Sequence, residues 1–219
     1  MTQPAGGKPP TRRQLAAEET RRKLLAAALD AFADRPYAEV TVSEIARSAG
    51  VAQGLLSHHF NGKDGLYAEV IREAGTQLQA ALDVDTVGPL TALLQRRFRG
   101  HIEFLARNEK MAVHLILRRA GATETAWNAF ESARLHGIRE LCRLLHVDPE
   151  QPAVLSSLRA FTAAADELTL AWLQDARTSP TERLADALVA LLSGALSAAA
   201  CLGPADNLEA VISELRGHL

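Results

Sequence analysis

Cysteine is nearly absent from this chain: of 219 residues only Cys142 and Cys201 carry a thiol, each isolated inside a helical pattern. Two such thiols build neither a disulfide framework nor a cysteine metal site, so a reduced, cytoplasmic setting is expected. Aromatic residues make up only 5%, while the 47% apolar share is dominated by Ala and Leu, which favour helix over strand. The opening residues MTQPAGGKPP hold no apolar signal core. Catalytic signatures are missing too: there is no His-Glu-x-x-His, no Gly-x-Ser-x-Gly, no phosphate-binding glycine loop, and the seven histidines are scattered. His58 and His59 are adjacent, so on a helix they point about 100° apart, which does not suit chelation of one metal. No enzyme activity, cofactor or metal is expected.

Charge of either sign is modest, with a net of -2, but it is unevenly spread. Residues 1–72 hold 10 Lys or Arg against 8 Asp or Glu, leaving 14 against 18 for the rest of the 24 and 26. Most of the front charge lies in GGKPPTRRQ and TRRK, a basic arm that would be attracted to phosphates. One stretch, ALVALLSGALSAAACLG from Ala187 to Gly203, runs 17 residues without charge. It is short for a bilayer and rich in Ala, Gly and Ser, so a helix buried within a protein or dimer is expected and a membrane is not.

What is present is helical periodicity. From Thr11, apolar residues recur at spacings of three and four through Leu24, Leu25, Ala28, Leu29 and Phe32, stopping at Arg35-Pro36. Thr41-Val-Ser-Glu44 is a capping box, so a second helix spans about Val42 to Ala49. Gly50 stops it, because glycine takes positive φ without strain. A third helix covers about Gln53 to His59, Asn61-Gly62 breaks it, and Lys63 opens a fourth that ends near Leu82. Two short helices joined by a tight glycine turn and packed on a longer one form a helix-turn-helix, whose second member can enter a major groove. Ile45, Ala46, Ala49, Val51, Leu56 and Phe60 have the spacing to face inward against Leu25, Leu29 and Phe32. Gln53, Gly54, Leu55, Ser57 and His58 are left facing outward. The remainder reads as six further helices, ten in all, with Asn108 capping EKMAVHLILRRAG and Thr123, Pro152 and Pro180 opening later ones.

The segment Thr41 to Val70 resembles the DNA-binding domain of the TetR family of transcriptional regulators. The resemblance is carried by Thr41, Ala49-Gly50-Val51, Gly54, His59-Phe60, and Lys63 with Leu66. It implies an all-α chain with three parts: a basic arm at 1–11, a helix-turn-helix domain at 12–72, and a ligand-binding and dimerisation domain at 73–219. It also implies a homodimer joined through residues 152–176 and 181–202, where Ala187, Gly194, Ala195 and Ala198 would let helices approach. Carried over position by position, Gln53 reads a base edge, as glutamine can with adenine. Gly54 permits close approach, and His59 and Lys63 touch phosphates. Thr41, Ser43, Leu55, Ser57 and His58 complete the expected DNA-facing set. Three positions depart from the family pattern: Ala52 stands where a Ser often caps, Leu55 where a hydroxyl commonly touches DNA, and Ser57 where a Tyr usually packs on the backbone. Leu55 is free to meet a thymine methyl instead.

For the back half, candidate ligand-facing groups are polar or aromatic side chains set among apolar neighbours. His114 and Arg118 share one face. Trp127 and Phe130 share another, and Asp166, Glu167 and Trp172 interrupt FTAAADELTLAWL. An unpaired Asp166 or Glu167 would favour a cationic effector, since a lone buried carboxylate is costly, whereas Arg118 would favour an acid. The expected function is a repressor that binds a palindromic operator in duplex DNA as a dimer and is released by a small molecule. The alternative is a helical adaptor that binds proteins and not DNA.

Overall fold

Ten α-helices account for most of the described residues in the computed structural model, which covers 11–82, 87–117, 123–175, 177–203 and 207–216. The first is α1 (Arg12–Asp34), opened by a reciprocal cap in which the Thr11 hydroxyl accepts from Gln14 N and the Gln14 amide accepts from Thr11 N. It ends ahead of Pro36, and a single 3₁₀ turn (Tyr37–Glu39) leads into α2 (Val42–Ser48), α3 (Gln53–Phe60) and α4 (Lys63–Ala81). The expected bounds of α2 to α4 hold to within one residue.

These four helices share a core of Leu24, Ala28, Phe32, Ile45, Leu56, Phe60, Leu66 and Val70. Leu24 and Phe32 are the deep contacts from α1, whereas Leu25 and Leu29 are only partly covered. Each fully buried Leu or Phe contributes roughly 1.5–3 kcal/mol. Phe32, Tyr37 and Tyr67 form an aromatic triangle with ring centroids 4.7 to 5.9 Å apart, which fixes the turn after α1 against α4.

α4 is unbroken at residue 72. Its first half packs on α1 and α3, its second half on α7 and α5. Beyond it come α5 (Leu90–Arg107), the three-residue α6 (Glu109–Met111) running into a π-helical turn (Ala112–Leu117), and α7 (Glu124–Leu145). Asn108 does not cap α6 as expected: its side chain donates to the Phe104 carbonyl at 2.9 Å and so finishes α5. The π turn widens the helix by one residue per turn. It lets Met111 and Leu115 join the core of the first four helices while Ala112 joins a cluster with Leu105, Leu170 and Leu173.

The chain closes with α8 (Pro152–Gln174), α9 (Thr181–Leu202) and α10 (Leu208–Arg216). α9 is long and apolar enough to cross a bilayer by length and composition. Its Leu184, Leu188, Leu192 and Leu196 are buried against α5, α8 and α10, which accounts for that apolarity. The opposite side of α9 carries Ala187, Ala190, Gly194 and Ala198 in the open, and α8 likewise exposes Ala160, Ala163, Leu168 and Ala171.

Candidate nucleic-acid interface and effector cavity

The turn between α2 and α3 depends on Gly50, whose φ is +66°. Its amide donates to the Arg47 carbonyl and that of Val51 to Ala46, closing α2 without a side-chain cap. α3 then lies with Leu56 and Phe60 buried and Gln53, Gly54, Leu55, Ser57 and His58 exposed. A Cβ built on Gly54 would meet nothing within 4 Å, so the fold does not require glycine there. At Gly65 it does: a Cβ would fall 1.8 Å from the Phe60 carbonyl oxygen, so the start of α4 can lie across the end of α3 only without a side chain.

Two of the expected DNA-facing residues serve the scaffold. The Thr41 hydroxyl accepts from Glu44 N and donates to the Glu44 carboxylate, which also accepts from Thr41 N. Those bonds from Thr41, with Arg35 beside it, hold the Glu44 carboxyl below its ordinary range. Ser43 donates to the Gln53 side-chain oxygen at 2.9 Å, linking α2 to the head of α3.

Lys63 is half-buried, with its Nζ 4.0 Å from the centre of the Tyr37 ring. Burial lowers its pKa and the neighbouring Asp64 partly opposes that. The Tyr37 hydroxyl donates to Asp64; burial and that bond push the phenol above its ordinary range. Tyr37 went unnoticed in the sequence, although an aromatic just before the capping box was a readable signal. His58 and His59 meet edge to face, 5.1 Å apart, with His58 exposed and His59 half-buried. Ala52 precedes α3 without any side-chain cap, as its methyl dictates.

This arrangement is matched by relatives. The family model described as bacterial regulatory proteins, tetR family, covers residues 24–70, the segment from mid α1 through α4. A crystal structure of a TetR-family transcriptional regulator from Streptomyces coelicolor superposes with a TM-score of 0.71 at 25% identity, over 91% of this chain and 89% of that one. Residues 24–70 are thus a TetR-family DNA-binding domain, set in a chain with the fold of a TetR-family regulator. Regulators of that family are DNA-binding transcriptional regulators. The fold is shared further with FadR from Bacillus subtilis in complex with stearoyl-CoA, at 19% identity, TM-score 0.61, over 78% of this chain and 96% of that one. It is shared also with NalD of Pseudomonas aeruginosa, the secondary repressor of the MexAB-OprM multidrug efflux pump, at 22%, TM-score 0.59, 81% and 97%.

Behind the TetR-type helix-turn-helix, α4, α5, α7 and α8 line a partly open cavity of about 520 Å³, the size that takes a drug-like molecule. Its walls are mainly apolar, with Ile71, Leu78, Phe98, Leu115 and Phe161 prominent. Of the candidates from the sequence, Phe130 and Asp166 stand on its wall. The others do not. Trp127 lies on the outer side of α7, 37% exposed and stacked on Phe130 at 6.0 Å. Glu167 is exposed on α8, and Trp172 donates from Nε1 to the Ser179 carbonyl. His114 is turned toward α1, where it helps hold the Asp34 carboxyl down, behind the larger effect of the Lys110 ion pair. Which helical face meets the cavity depends on partner helices that the periodicity does not name. Arg118 lies outside the described residues.

The polar wall residues that sequence reading missed include Gln79, Arg97, His101 and Arg134. His101 sits three residues after Phe98 on the apolar stripe of α5, a signal that was legible. Burial, with Arg97 one turn away adding its charge, holds its pKa down to about 4, so the imidazole is neutral at physiological pH. Asp166 is not alone: Arg134 donates to it at 2.8 Å. The case for a cationic effector, which needed an unpaired carboxylate, therefore lapses.

Proposed function

We propose that the protein is a homodimeric repressor that binds a palindromic operator and is released when a small molecule enters the cavity. In this reading residues 12–72 contact DNA, with Gln53 reading a base edge, Leu55 offered to a thymine methyl, and His58, His59 and Lys63 near phosphates. Residues 73–219 carry the effector and dimer roles. The observation that carries it is the two-sidedness of α3, in which Leu56 and Phe60 anchor one side while Gln53, Gly54, Leu55, Ser57 and His58 on the other are exposed. The small-residue faces of α8 and α9 supply a second helix pair for a two-fold partner, so that two α3 helices could read major grooves about 34–36 Å apart.

Release has a physical route. Leu115 and Ile116 line the cavity, and the segment that bears them also holds α1 through the Lys110–Asp34 ion pair. An occupant that displaces this π turn would re-aim the helix-turn-helix, provided that it binds the mis-spaced state better. Selection of duplexes from a random pool by the purified protein tests the reading. A palindromic consensus whose binding weakens steeply with salt is expected, and recovery of unselected sequence, or no duplex at all, would overturn it in favour of a protein-binding adaptor.

A further inference from the structure

Arg134, on the cavity wall, has an unmet end. Its side chain is 8% exposed; Nε donates to Thr162 Oγ1 at 2.9 Å and Nη2 to Asp166 Oδ2 at 2.8 Å. Nη1 is covered and has no hydrogen-bond partner among the described residues. A guanidinium holds five N–H donors in one plane, and leaving a buried donor without an acceptor is costly. Phe130, whose ring centre is 5.5 Å from the guanidinium carbon, lies on the same wall, so an occupant packed on that ring lies beside the guanidinium.

Charge narrows the occupant further. Asp166 already balances Arg134, so an added cation finds no spare carboxylate and an added anion would sit beside one. His101 contributes no charge near neutrality. Of the remaining wall residues, Arg72 pairs with Glu69, His136 lies beside Glu140, and Arg97 donates to the Leu82 carbonyl and acts on the nearby Glu140 carboxyl. On the reading that this cavity is the effector site, we propose that its effector is an uncharged, largely apolar molecule bearing a carbonyl-class oxygen, which accepts from Arg134 Nη1 while the apolar body lies against Phe98 and Phe130.

Four probes with one ring system test this on the full-length protein by calorimetry: 2-acetylnaphthalene, 2-ethylnaphthalene, 2-naphthoate and 2-naphthylmethylammonium. The ketone is expected to bind about tenfold tighter than the hydrocarbon and than either ion, the size of one hydrogen bond to a charged donor. The paired change Arg134→Met with Asp166→Leu removes both charges together and should bring the ketone to the level of the hydrocarbon while the hydrocarbon still binds. Tightest binding by either ion, a ketone no better than the hydrocarbon, or a ketone preference that survives the paired change overturns the proposal. If the hydrocarbon binds and no preference appears, only the chemical class fails. If none of the four binds a protein that still binds DNA, the effector-site reading fails with it.

Discussion

Ser43 at the start of α2 holds Gln53 at the start of α3 through a 2.9 Å bond from its hydroxyl to the glutamine side-chain oxygen. The amide group of Gln53 is thereby aimed before any DNA arrives, with both N–H donors left for a base edge. Gln53→Ala should cost roughly 1–3 kcal/mol of operator binding and relax one base position. Ser43→Ala should keep the same preferred base and bind more weakly, by less than the Gln53 change. Both are read by competition binding against single-base operator variants. Equal losses for Gln53→Ala on operator and random duplex would remove it from base reading.

Lys63 and Tyr37 make a different kind of contact. The ammonium rests 4.0 Å from the Tyr37 ring centre while the phenol holds Asp64, so the lysine is directed with no ion pair of its own among the described residues. Lys63→Ala should weaken all duplexes about equally and reduce the salt slope by about one. Tyr37→Leu, which keeps the lysine but removes its rest, should produce a smaller loss with the slope unchanged. A sequence-dependent loss for Lys63→Ala would contradict a phosphate role.

Two glycines in this region are glycine for unlike reasons, and substitution separates them. Gly54 has open space around it, so Gly54→Ala should leave the fold intact and stabilise α3 by about 0.5–1 kcal/mol. If the backbone there approaches DNA closely, the same methyl should lower operator affinity. Gly65→Ala meets the Phe60 carbonyl at 1.8 Å and should destabilise the domain by several kcal/mol, on the scale of core overpacking and backbone strain. Thermal unfolding and DNA binding measured side by side distinguish the two; a Gly65→Ala protein as stable as the parent would show that α3 and α4 can part without cost.

Much of this was legible in the sequence because the deciding signals are local. Thr41 and Glu44 are three residues apart and cap their own helix, Gly50 and Asn61-Gly62 mark positive φ, and the spacing of Leu56 and Phe60 fixes which side of α3 is hidden. The cavity was harder, since α7 presents Trp127 outward and Phe130 inward only because α4 and α8 lie where they do. Gln79, Arg97, His101 and Arg134 come from three helices remote in sequence. Only their assembly makes a site, and no single helix announces it. The π turn after Met111 was read as plain helix because an extra residue per turn leaves no distinct mark in an apolar run.

The exposed small residues of α8 and α9 set the expected dimer. Ala198→Arg places a long cation on a face whose neighbours Ala187, Ala190 and Gly194 are apolar and open. The parent chain should sediment as a dimer and the variant as a monomer with unchanged helicity. Losing the second recognition helix should lower operator affinity by at least about a hundredfold, the effect of losing a tethered second site. A monomeric parent, or a variant that remains dimeric, would move the interface elsewhere.

His101 gives the protein a stability that depends on pH in a defined direction. Its folded pKa is about 4 because burial and Arg97 oppose its charged form, whereas an unfolded histidine titrates near 6.5. Between those values the unfolded chain binds a proton that the folded chain refuses. Stability from this group is therefore complete above about pH 6.5, falls as the pH drops toward 4, and is constant below, with a total on the order of 3 kcal/mol. The carboxylates held low by partners, Glu44 and Glu69 among them, contribute in the same direction but lose their share below about pH 4.5. The interval from pH 4.5 to 6.5 thus isolates the imidazole. His101→Gln keeps a polar group on the cavity wall and cannot take the proton, so its denaturation midpoint should stay nearly flat across that interval while the parent's declines. Parallel curves for the two proteins would mean that His101 is protonated in the folded state as readily as in the unfolded one.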